Sequence, residues 1–102
     1  MPVDTLAPAA LQESSEPTPP PMVVGYLTVI ESTYNKLAMT GRLDHLNAMC
    51  MVGLLIGAAI GLAYEHENSL ARLLEDAARR LDGDWRSFST VIPPVVLAMK
   101  QH

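Results

Sequence analysis

The chain has almost none of the residues that staple a small protein together. Cys50 is its only cysteine, so no disulfide forms within it. The neighbouring Met49 and Met51 predict a packed, reduced thiol, in keeping with a reducing compartment such as the cytoplasm. Metal ligands are as sparse. Cys50, His45, His66 and His102, with Glu65 and Glu67, show no zinc-finger spacing. On one continuous helix His45 and His66 stand roughly 30 Å apart, at about 1.5 Å per residue. Met49 and Met51 lie about 200° apart on a helix and cannot clasp one soft ion from the same side. Neither a metal nor a cofactor is expected.

Bases are scarce too. Seven Lys and Arg oppose eleven Asp and Glu, for a formal net charge of −4. No basic stripe of the kind that releases counterions from nucleic acid is present, so no nucleic-acid partner is expected. The segment before Pro17 lacks the basic start and apolar run of a secretory leader. The catalytic signatures GxSxG, HExxH and the P-loop are missing, as is a dinucleotide fingerprint after a strand. Glu65, His66 and Glu67 are successive residues and point in different directions on a helix. Cys50 lacks the electropositive, open setting that a nucleophilic thiol needs. The chain is therefore not expected to be an enzyme.

What the sequence does have is helical patterning. Residues 1–21 carry prolines, Ser, Thr and Glu with no apolar period, which predicts a disordered acidic tail ending in a stiff polyproline segment. Pro17 and Pro20 make a PxxP spacing without a flanking base, and a linker describes it better than a docking motif. Residues 22–102 are expected to form one all-α domain, a small bundle of three main helices plus a short C-terminal helix or turn. In residues 22–39, Val23, Leu27, Ile30, Tyr34 and Leu37 recur at steps of four and three, one apolar stripe. The β-branched Val23, Val24, Thr28, Val29 and Ile30 leave a strand as the alternative. Gly41 is the stop signal.

A second helix is predicted from Leu43 or Asp44 to about Glu67, with Asp44 as its cap. A third comes next over residues 69–82, continuous with the second or capped by Asn68 or Ser69. Its stripe is Leu70, Leu73, Leu74, Ala77 and Leu81, and its outer face pairs Glu75 with Arg79 and Asp76 with Arg80. Gly83 ends it. Asp84 caps a short turn through Trp85, Arg86 and Phe88. Pro93 and Pro94 are expected to interrupt the C-terminal segment, leaving residues 95–99 to close over the core.

The second helix holds the most information. Residues 46–64 are apolar on every side, and a helix apolar all round must be covered all round. Gly53, Gly57 and Gly61 share one narrow sector with Cys50, at about 100° per residue. Each interior glycine costs about 1 kcal/mol of helix propensity, which implies a compensating close contact. Two coverings suffice. One is protein: the first and third helices cover part of the helix, and the glycine seam or the Ile56–Ile60 edge packs on a second copy, as a two-fold homodimer. The other is lipid, in a single span associating through the Gly53, Gly57 and Gly61 seam. Against lipid, Asn47 lies inside the window, Tyr64 is the sole aromatic near either end, and Lys36 and Arg42 on one side balance Arg72, Arg79 and Arg80 on the other.

The expectation is thus a cytoplasmic, non-enzymatic regulator that masks a partner protein's interface through an apolar helical surface. The membrane is the alternative. The expected surface comprises Met49, Gly53, Leu54, Ile56, Gly57, Ile60 and Gly61. Trp85 and Phe88 are further anchors, or else core closure. In size and layout the chain resembles small helical anti-activators that sequester transcription regulators. That resemblance, carried by no motif, implies a transcription regulator as a candidate partner; the apolar surface itself equally suits a chaperone-like adaptor.

Overall fold

The computed structural model describes residues 20–102. Four helices fill them: α1 (Pro21–Met39), α2 (His45–Tyr64), α3 (Asn68–Gly83) and α4 (Phe88–Lys100), with a short 3-10 turn at Trp85–Ser87 before α4. The fold is all-α, as expected. The tail and its PxxP spacing lie outside the described residues, apart from Pro20 and Pro21. Pro21 is already helical, at the first position, where its missing N–H costs nothing.

The segment open to a strand is helical. Val23 and Ile30 are buried, and Leu27, Tyr34 and Leu37 are half-buried on the same stripe. The Thr28 hydroxyl donates to the Val24 carbonyl at 2.8 Å, which gives this β-branched residue a polar partner inside the helix. Gly41 ends α1 at φ 69°, a left-handed position that glycine takes without strain. Gly41 N–H bonds Ala38 O and Arg42 N–H bonds Leu37 O, the paired bonds of a Schellman stop.

Asp44 then caps α2, accepting from Asn47 N–H at 2.9 Å. The Asn47 side chain donates back to Arg42 O at 2.7 Å. The one polar residue inside the apolar run therefore ties the α1–α2 turn.

α2 stops earlier than the sequence suggests, at Tyr64. Glu67 N–H bonds Leu62 O and His66 N–H bonds Ala63 O, a second Schellman stop. Its left-handed residue is His66, at φ 67°. The sequence offers no glycine there, so periodicity alone runs through the turn. Neither Asn68 nor Ser69 caps α3: Glu67 is the N-cap residue, and its side chain makes no capping bond. Glu67 Oε1 instead meets His102 Nε2 at 2.6 Å.

α2 and α3 form an antiparallel hairpin with the most extensive contact in the molecule. Leu55 and Leu62 of α2 and Leu74 and Leu81 of α3 are fully buried in the shared core. α4 returns along α3, and α1 lies on both α2 and α4. Lys100 Nζ bonds Glu31 at 2.7 Å across α4 and α1. Pro93 and Pro94 do not interrupt α4. Both are exposed, while Val91, Ile92, Val95, Val96 and Met99 are buried. The two missing N–H donors thus fall on the exposed side, and the apolar face holds the helix together.

Candidate functional site

The sector that other helices cover splits α2 in two. Ala48, Met51, Val52, Leu55, Ala58, Ala59 and Leu62 are buried and fall within about 120° of the helical wheel. On the opposite side Leu46, Cys50, Gly53, Ile56, Gly57, Ile60, Ala63 and Tyr64 are exposed. Leu46 is 73%, Ile60 66% and Tyr64 82% exposed. This strip runs the length of the helix, about 27 Å at 1.5 Å per residue, without one charge. Single exposed apolar side chains are ordinary; a contiguous run of them marks an interaction site.

The expected site residues part company here. Gly53, Ile56, Gly57 and Ile60 lie together on the open strip. Met49 and Leu54 are half-buried at its margins. Gly61 is not open: the Tyr26 ring of α1 lies over it, so a Cβ there would run into the Tyr26 hydroxyl and come within 2.8 Å of Cζ. The close approach that the glycines imply is therefore met inside the chain at Gly61 alone. A Cβ at Gly53 or Gly57 would find nothing within 4 Å.

The two aromatic anchors separate as well. Phe88 is 2% exposed and stacks on Tyr34, with ring centroids 5.4 Å apart, so it closes the core. Trp85 is half-buried at the far end of the bundle, with His45 at its edge and the Arg86 guanidinium 4.8 Å over its ring. Trp85 thus meets the first residue of α2, next to Leu46, and Phe88 lies away from the surface.

Cys50 corrects the expectation of a packed thiol: it is exposed. Of its apolar neighbours only Met51 turns into the core and Met49 stays half-buried, while Cys50 shares the sector of the open Gly53 and Gly57. Leu46 and Tyr64 were missed as site residues, although both project at the angle of Gly53 and Gly57; a wheel drawn over the whole run finds them.

Beside the strip an open groove runs along the α2–α3 seam. Ile56, Ile60 and Ala63 form one wall, and Arg72 and Glu75 stand on the other. It continues past Val52 towards Arg79 and Asp82. Arg79 is held by Asp76 at 3.0 Å and Glu75 at 3.9 Å, so Asp76 pairs three residues on and not with Arg80. The site is a greasy ridge with a charged verge. Among the described residues no three His, Cys, Asp or Glu side chains gather to hold a metal ion. Set against family models, curated proteins and solved structures, the chain matches none.

Proposed function

We propose that the protein is a small non-enzymatic regulator that binds another protein through the open face of α2 and masks that partner's own interface. The observation that carries this reading is the uncharged strip from Leu46 to Tyr64, left bare by a bundle that covers the other side of the same helix. Ile60, at 66% exposed, holds back roughly 1–2 kcal/mol of burial that only a further surface can recover. The partner surface that fits is an apolar helix face or groove, such as the assembly interface of a transcription regulator, with charge at its rim to meet Arg72 and Glu75.

The test is affinity capture from native extract with wild type, Ile60→Asp and the control Arg80→Ala, whose side chain is exposed on α3. A partner retained by wild type and Arg80→Ala but lost by Ile60→Asp supports the reading. Equal capture by all three overturns it.

A second reading, a single membrane span, draws on one specific observation. α2 is long and apolar enough to cross a bilayer, and 33% of its 18-residue window is buried in the bundle. Two features weigh against it. Insertion must strip α3, with Arg72, Glu75, Asp76, Arg79 and Arg80 on its outer face, from the buried side of α2. It must also free Gly61 from Tyr26 before the three-glycine seam can associate. Sedimentation with vesicles and resistance to alkaline extraction are the outcomes that favour the span.

A further inference from the structure

We infer that the open face of α2 is covered, in the free protein, by the same face of a second copy, in a parallel two-fold pair. This goes beyond partner capture and rests on the shape and extent of the strip. On the helical wheel Ile56 and Ile60 form a ridge on the side towards α3, and Gly53 and Gly57 form a trough beside it, on the side towards α1. A two-fold axis running along the helix exchanges those sides. It therefore sets each copy's isoleucine ridge against the other's glycine trough at the same level. An antiparallel pairing keeps the sides and sets ridge on ridge.

The glycines give room for this approach, since nothing in the chain lies within 4 Å of a Cβ at either. No charge lies on the strip to repel its own image. Extent agrees too. Leu46, Ile56, Ile60 and Tyr64 are 73%, 43%, 66% and 82% exposed. With Cys50 and the two glycines they offer on the order of 700 Å², close to the ~800 Å² per partner of a standard interface.

The parallel arrangement puts Cys50 level with the partner copy's Cys50, across the axis from it and about 10 Å away at the spacing of closely packed helices. The antiparallel one separates the two thiols by about 20 Å, at 1.5 Å per residue from a centre near Gly57. The experiment is sedimentation of the full chain at tens of micromolar, without detergent, then treatment with a short bismaleimide.

Expected are the mass of two chains, a covalent dimer through Cys50, and a single-chain mass for Gly57→Leu, whose added side chain enters open space in the isolated bundle and leaves its helical circular dichroism unchanged. If Gly57→Leu fails to fold, Ile60→Asp serves in its place. A monomeric wild type overturns the proposal, and so does a dimer indifferent to both substitutions. A dimer that the reagent cannot join overturns the parallel arrangement. Partner capture is read separately, from extract, so a monomer that still retains a partner sinks this pairing without touching the proposed function.

Discussion

α2 and α3 lie side by side, bury leucines in one core, and treat water in opposite ways. The outer face of α3 carries Arg72, Glu75, Asp76, Arg79 and Arg80, and its inner face carries Leu70, Leu74, Ala77 and Leu81. The outer face of α2 carries Leu46, Ile56, Ile60 and Tyr64. α3 is finished by its own sequence: polar where wet, apolar where dry. α2 is finished only on the side its neighbours cover. The proposed function rests on this difference, because contiguous bare apolar faces of this kind mark contact surfaces.

The sharpest way to break this comparison is to put the same charge on both sides of α2. Leu55→Asp buries a carboxylate among leucines with no partner and is expected to cost at least ~4 kcal/mol, enough to unfold so small a domain. Ile60→Asp, on the open side, is expected to leave the fold intact. Urea denaturation monitored by circular dichroism separates the two, and equal losses would mean that the open side is covered within the chain.

A finer contrast sets the glycines against one another. Gly57→Ala should stabilise the isolated bundle by about 1 kcal/mol through helix propensity, because the new methyl meets nothing. Gly61→Ala should instead destabilise it by about 1 kcal/mol, because the Tyr26 ring must move away. Adding Tyr26→Ala should remove the difference in response between the two sites. Both are read from denaturation midpoints under monomeric conditions.

The turn between the two helices gives the next effect. His66 sits at φ 67°, where any side chain crowds its own carbonyl. His66→Gly is expected to raise stability by about 0.5–1 kcal/mol, seen as a higher midpoint at unchanged slope. The smallest effect belongs to the wet face of α3. Arg79→Ala loses ion pairs to Glu75 and Asp76 whose side chains are more than half exposed, and its midpoint should shift by no more than about 0.5 kcal/mol, vanishing in high salt.

How much was legible in the sequence depends on where each signal acts. The stops and starts at Gly41, Asp44 and Gly83 are local chemistry, written in one or two residues, and they stand where they were read. The α2–α3 turn was not legible, because its left-handed position holds His66 in place of a glycine. Pro93 and Pro94 misled for the converse reason. Their local veto on helix is real, yet five buried side chains on the opposite face outweigh two lost donors on the wet one. At the candidate site, spacing alone put Gly53 and Gly57 in one sector and offered the Ile56–Ile60 edge as the alternative; that both lie open is seen only in the fold. Gly61 could not be told from its fellows, because the Tyr26 ring that covers it arrives from a distant helix.

The order of the helices, their stripes and most of their ends were determined by the sequence itself, because helix periodicity and capping are properties of neighbours along the chain. Which side of α2 stays bare was decided only by tertiary packing. A helix apolar in every direction carries no instruction about its orientation, so the stripes of α1, α3 and α4 choose the side to bury. The face they leave uncovered, with Cys50 in its midst and Phe88 withdrawn into the core, is the surface that the proposed function uses.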